Sequence, residues 1–369
     1  GLYARFFMSR VLGLRKNGEL RAATEDYLYW ADQAEALEAS LLLDRSVQEG
    51  SLGMSGEIKM GATLGSGMLV QASYFPEKKD HQGRVHWVGE LGALMTDKLG
   101  RVRSDNGDRK IGELHIDPIV DTCIHKNDKK FRVRLSKSEL DRPSQRDAEM
   151  CSELIYTKAQ EDIGYLWQAG KTLSQLPYFD VSKQREYSSH DTSNRYIKTH
   201  INNSEFDFLP DMFSKTTMGL LNTTDINNVA RIINFIRGED QVNMRPRKLK
   251  GKTERLGDFI NSQPVVVAQP AENYHLLYGD SSYLAFYRQY QDRRRIVYIG
   301  GNDGLLHAFN AGWFDEENQA HMTEKPDHAS WVLGQEVWAF VPFNLLPHLK
   351  YLSRKEYGES ASDHLFLLD

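Results

Sequence analysis

The sequence predicts a mixed α+β chain, rich in β: a β and helical region followed by the first blade of a β-propeller. Three observations carry this. Glycine-punctuated β-formers fill residues 49–140, an amphipathic stripe marks 141–244 as helical, and β grammar returns after a basic run at 245–255. The chain of 369 residues is long enough for two domains, and its 40% hydrophobic and 26% charged residues exclude a wholly disordered protein. Apolar runs such as 41–43 and 296–299 fall far short of the roughly 18 residues of a spanning helix, so no membrane span is expected. A formal net charge of −5 offers no general attraction to nucleic acid.

Residues 1–48 read as a helical lead-in, with Ala34, Leu37, Leu41 and Leu42 at helical spacing behind an Asp32 cap. The β-rich region 49–140 follows. Its clearest strands are 68–75 and 84–95, and a turn at 97–100 leads into 101–103, which is hairpin grammar. Within 141–244, Ile163, Leu166, Trp167 and Leu173 keep helical spacing, and Gly170 leaves room for a close partner. The cleanest stripe is Ile226, Val229, Ala230, Ile233 and Ile236, opened by Thr223-Thr224-Asp225 and stopped at Gly238. Between these helices the polar stretch 183–205 reads as a loop or a mobile arm.

Arg245, Arg247, Lys248, Lys250, Lys252 and Arg255 make 245–255 a basic linker with Glu254 as its single acid, able to bind an anion or polyanion but read as solvated and as the main domain boundary. From 256 to 369, strands at 264–268, 296–299, 305–309 and 334–342 give the start of an incomplete propeller. Asn302-Asp303-Gly304 turns the second strand into the third. Asp303 reads as a turn residue, His307 as a strand residue either packed or exposed, and Trp338 as blade core.

Catalytic constellations are missing: no GxSxG, no HExxH, and 61–67 lacks the Gly-Lys-Ser/Thr ending of a phosphate loop. Cys123 and Cys151 are too few for a four-cysteine zinc site; they either pair or stay as two free thiols.

LGDFINSQP at 256–264, VYIGGNDGLLHAF at 297–309 and EVWAFVPFNLLPHLKYL at 336–352 resemble the opening of the propeller in the PilC/PilY-type adhesins of type IV pili. Upstream, LVQASYFP, VHWVGELGALMTDKLGRVR, IGYLWQAGKTL and VARIINFIRGED follow in the order that family uses before its propeller. The resemblance covers most of residues 30–369. It implies a quinoprotein-like β-propeller and an extracellular, cell-surface protein at the pilus tip. Its work there would be pilus assembly and adhesion, by binding minor pilins and a host or abiotic surface, without catalysis. It also implies a signal peptide and a von Willebrand A-like domain before Gly1, and further blades after Asp369. Two alternatives stand beside it: a quinone-dependent dehydrogenase-like propeller enzyme, whose axial residues and repeated blades are not seen here, and a structural filament-associated subunit.

The loop 105–113 occupies the place where relatives often carry a calcium loop. Calcium takes six to eight oxygens from a tight Gly-containing loop, so the expected ligands for Ca2+ are Asp105, Asn106, Asp108 and Glu113. Arg109 and Lys110 in its middle oppose a cation and favour a plain polar turn.

Overall fold

The structure is a computed structural model. It describes residues 53–57, 67–79, 85–97, 101–125, 131–137, 150–151, 157–158, 163–177, 181–190, 193–249, 251–260, 262–270, 272–315, 317–325, 330–359 and 363–368. The expected helix behind Asp32 lies outside them. Side chains of Cys123 and Cys151 also lie outside the description, and with them the question of their pairing; the backbone sets Cys151 opposite His125 in neighbouring parallel strands.

Backbone contacts divide the chain into two compact units. The first takes in the described residues of Gly1–Leu69, with Ala93–Leu166 and Phe314–His321. The second takes in Val70–Gly92, Trp167–Trp313 and Met322–Asp369.

The first sheet is built from β1 (Gly53–Glu57), β2 (Gly67–Lys79), β3 (Val85–Thr96), β4 (Val102–Arg103), β5 (Ile119–His125), β6 (Phe131–Ser136), β7 (Met150–Cys151), β8 (Thr157–Lys158) and β9 (Trp167–Gln168). Its order runs β1-β2-β3-β4-β5-β6-β8, with β7 beside β5 and β9 beside β3. The strands flanking the turn read at 97–100 pair antiparallel, Met95 with Arg103 and Thr96 with Val102, while 98–100 lie outside the described residues. Leu94, Val102, Val120, Leu135 and Ile163 pack together as the buried core of the first unit.

In the second unit, helix α1 (Ala169–Ser174) follows β9 directly. The helical reading of 163–173 is therefore right only from Ala169 onward, because Trp167 and Gln168 are held in a strand. Gly170 does admit a close neighbour: its N–H donates to Glu90 Oε1 at 2.6 Å, where a side chain would collide. Helix α2 (Ile226–Arg237) matches the stripe. Asp225 Oδ1 accepts from the Asn227 amide at 2.9 Å, and Gly238 ends the helix at φ 110°. Ile226, in the first turn, remains exposed, while Ile232 and Phe235 join Val229, Ile233 and Ile236 in the core.

Part of the stretch read as a polar loop is a hairpin. Strands β10 (Ile197–Ile201) and β11 (Ser204–Asp207) pair antiparallel, and Asn202 and Asn203 turn between them at φ 49° and 62°. A two-residue turn with both residues left-handed matches the strand twist, and Asn is among the few side chains that tolerate it. Polarity here encodes a turn, so 141–244 is not uniformly helical.

The segment 245–255 carries the short pair β12 (Lys248–Leu249) and β13 (Lys252–Thr253). It is not a solvated linker: Arg247 and Arg255 are buried. Beyond it, β14 (Val265–Val267), β15 (Arg295–Gly300), β16 (Leu306–Asp315) and β18 (Glu336–Val341) form the expected antiparallel meander, with β17 (Ala320–Met322) beside β16. Helices α3 (Tyr274–Leu277) and α4 (Ser281–Tyr290) are inserted between β14 and β15. β10 adds in parallel to β18, giving a seven-stranded sheet in the order β11-β10-β18-β16-β15-β14. Among the described residues this sheet is open, with β11 and β14 at its edges. A 3-10 turn at Phe343–His348 leads into α5 (Leu349–Leu352), whose leucines pack with α2 against Ile197, Ala339 and Val341.

Close backbone approach sets one constraint on β3. A Cβ on Gly89 would stand 1.8 Å from the Gly257 carbonyl oxygen. Gly89→Ala is expected to cost about 1–3 kcal/mol in urea unfolding. Gly219→Ala, where nothing lies within 4 Å, should change the midpoint little. Asp225→Ala should cost about 1 kcal/mol by removing the cap of α2.

Candidate functional site

Two groups of polar side chains stand out, one in each unit. In the first, the chain leaves β4 through Ser104 and Asp105, which are fastened by Gly164: its N–H donates to Ser104 Oγ at 2.8 Å, and its carbonyl accepts from Asp105 N at 2.9 Å. Asp105 Oδ1 then accepts from the amides of Gly107 and Arg109, at 3.0 and 3.1 Å. Asn106 Oδ1 accepts from Asp108 N at 2.9 Å, and Asp108 Oδ1 from Lys110 N at 2.8 Å. Successive short polar side chains thus cap the next amides, with Gly107 at φ 105° permitting the tight path.

Of the four expected ligands, Asp105 and Asp108 come together, and the third acid is Asp117, which the sequence reading did not single out. Carboxylate oxygens of Asp105, Asp108 and Asp117 lie within 4.8 Å of one another. Asn106 lines the same loop, its amide N–H donating to Asp117 Oδ1 at 3.1 Å. Glu113 is outside the cluster: it is largely exposed and faces His115 at 3.2 Å. Asp117 is invisible to loop grammar because it follows the turn. It folds back to accept from Asn106 N and from Gly112 N, the latter at 2.7 Å. Arg103 supports the loop from below, donating to the carbonyls of Asp117 and Gly112 at 2.6 and 2.8 Å and pairing with Asp97 at 3.1 Å. Burial pushes the Asp105 carboxyl up, and the Asp117 and Asp108 charges add to it against the amides of Gly107 and Arg109. Burial likewise raises Asp117.

The second group lies inside the second unit. Arg195 meets Glu336 in a bidentate pair, with both guanidinium–carboxylate contacts at 2.7 Å. His307 stands between Glu336, at 2.8 Å from Nδ1, and Asp303, at 3.2 Å from Nε2. Since both neighbours are carboxylates, both ring nitrogens must carry protons to satisfy them. Asp303 also accepts from the amides of Gly257 and Leu305, at 3.0 and 3.2 Å. Asp303 is therefore a turn residue, as read, and also a buried hub. His307 is the packed alternative, and Trp338 is half-buried against Tyr298 with ring centroids 5.6 Å apart. Next to this group, Asn302 donates to Asp258 at 2.6 Å, and His364 holds the other Asp258 oxygen at 2.8 Å.

Three arginines converge on the C-terminal end of α2. Arg195 donates to the Arg237 carbonyl at 2.9 Å, Arg247 to that of Phe235 at 2.8 Å, and Arg255 to that of Gly238 at 3.0 Å. Cations at that end satisfy carbonyls the helix leaves open and oppose the negative end of its dipole. This arrangement is chemically closed, since the charged atoms meet protein partners.

Against the burial that opposes charge, Asp303 and Glu336 push His307 up to about 9. Arg195 and His307, against the same burial, hold Glu336 far below the ordinary carboxylate range. A raised histidine stabilises fully below its unfolded value near 6.5, and that contribution is lost as pH rises toward about 9. Depressed carboxylates stabilise above their unfolded value near 4.5 and lose that contribution as pH falls. Thermal unfolding should show a fall in midpoint between pH 6.5 and about 9 that His307→Gln flattens. An unchanged slope in the variant would remove His307 as its source.

With the geometry in place, similarity to known proteins bears on what the chain does. Over 150 residues it is 33% identical to a type IV pilus biogenesis factor PilY1 homolog of Xylella fastidiosa, covering 40% of this chain and 10% of that relative. Over 144 residues it is 28% identical to type IV pilus biogenesis factor PilY1 of Pseudomonas aeruginosa strain PAK, covering 37% of this chain and 10% of that protein. The chain therefore spans about a tenth of the length of these curated relatives. No family model matches the sequence, and no solved structure matches the fold. The family resemblance seen in its motifs is thus carried by homology: curated homologues of this chain are PilY1 type IV pilus biogenesis factors, similar at low identity over part of their length.

Proposed function

We propose that this chain serves type IV pilus biogenesis as a binding segment at the pilus tip, outside the cell, contacting minor pilins and a host or abiotic surface without catalysis. The observation that carries it is the similarity to PilY1 proteins. The buried groups agree with a structural role: Asp303, His307, Glu336 and Arg195 saturate one another, which leaves no free acid or base among them to meet a substrate. The exposed aromatic and leucine side chains of α3 and its flank, Tyr274, Leu276, Leu277 and Tyr278, offer apolar contact area of the kind binding uses. The open four-strand meander supports the reading of this segment as a propeller blade.

Calcium at the 105–117 loop belongs to the same reading. Asp105, Asp108 and Asp117 offer hard oxygens, and Asp105 Oδ2 is clear of the amides that occupy Oδ1. A cation there would offset the burial, and the lesser carboxylate repulsion, that raise Asp105 and Asp117, and would stiffen the loop. Its part would be structural.

Deleting the gene should abolish piliation and twitching, and normal pili in the deletion strain would refute the pilus role. Restoring the gene with Leu276→Ser, Leu277→Ser and Tyr278→Ser together should return stable protein with weakened adhesion or pilin capture. Terbium luminescence or calorimetric calcium titration should show saturable binding that Asp105→Asn with Asp117→Asn removes. Equal titration curves for the parent and the double variant would retire the site.

A further inference from the structure

The loop that begins at Asp105 holds a second chemistry, independent of any cation. Asn106 is followed by Gly107, the one residue type whose amide nitrogen approaches a neighbouring side-chain carbonyl with no Cβ in the way. Both residues are exposed, so water and a leaving amine have free access. The sequence has one other asparagine before a glycine, Asn17-Gly18, which lies outside the described residues.

Two hydrogen bonds place catalytic groups on the reacting atoms. The Asp108 amide donates to Asn106 Oδ1 at 2.9 Å, which polarises the side-chain carbonyl and faces the oxygen where negative charge develops. The Gly107 N–H donates to Asp105 Oδ1 at 3.0 Å, so a carboxylate already sits where the amide proton must go. An amide donating to a carbonyl would be quieted by that bond. Here the acceptor is a base.

We propose that Asn106 is a self-modification site, its side chain converted to aspartate or isoaspartate through a succinimide formed with Gly107. Gly107 N attacks Asn106 Cγ and a C–N bond forms. The amide proton passes to Asp105, and the tetrahedral carbon expels the side-chain nitrogen, which takes up a proton and leaves as ammonia. Water then opens the ring at either carbonyl. One water enters and one ammonia departs, with no oxidation or reduction. Opening at the former side-chain carbonyl leaves an ordinary aspartate at this position. Opening at the main-chain carbonyl leaves isoaspartate, which lengthens the backbone by one methylene. Either product sets a further carboxylate beside Asp105, Asp108 and Asp117.

The test is peptide mapping by mass spectrometry of the purified chain held at mildly alkaline pH without divalent cations, beside a synthetic peptide of residues 101–112. The gain of about 1 Da should appear at residue 106 faster in the folded chain than in the peptide, with isoaspartate detected by its separate elution. Asp105→Asn should bring the folded rate down to that of the peptide, and Gly107→Ala, which puts a Cβ on the attacking residue, should slow it further. Circular dichroism confirms that each variant is folded. A folded chain modified at or below the peptide's rate would overturn the proposal. Because the readout is mass, it stands or falls apart from calcium binding and from pilus function.

Discussion

The Arg195–Glu336 pair is the contact on which the second unit depends. Arg195 precedes β10, and Glu336 opens β18, the strand that β10 joins in parallel. Through Glu336 the pair reaches His307 on β16 and from there the turn at Asp303. On its other side Arg195 caps the end of α2. Helix, meander and added strand are therefore tied by one chain of charged hydrogen bonds. A buried pair of this kind need not raise stability over an apolar replacement, because desolvating both ions is costly. Its effect is specific: removing one partner leaves an uncompensated buried charge, which penalises every alternative packing that separates them.

Basic residues in the second unit follow the same logic. A run of lysines and arginines on paper suggests a solvated stretch, and Lys248 is indeed exposed. Arg247 and Arg255 instead turn inward because a helix end offers open carbonyls, and a guanidinium reaches them while its stem packs on apolar neighbours. Arg247 also lies over the Phe235 ring at 4.2 Å. Composition reports charge but not which carbonyls await it.

The 105–117 loop shows how far motif reading extends. Asp105, Asn106 and Asp108 are recognisable because short polar side chains around a glycine cap the amides that follow them, a local effect. Asp117 is not, because its approach depends on a return of the chain and on Arg103 holding the carbonyls of Gly112 and Asp117 from beneath. Glu113 has the right chemistry at a plausible spacing, and the path of the backbone carries it outward to His115.

Linear order is enough to specify the local elements: the β3–β4 hairpin, the capped and glycine-stopped α2, the four strands of the meander, and the motifs that relate the chain to pilus biogenesis factors. Each arises from interactions within a few residues, periodicity, turn chemistry and capping, which neighbouring positions record directly. Only the folded chain brings a polar stretch to β18 as the added strand β10, makes Asp303 and His307 a buried ionic hub, and completes the acidic loop with Asp117. Those outcomes depend on which distant groups share a low-dielectric interior, where an unpaired charge or amide is too costly to keep. No local pattern encodes that cost.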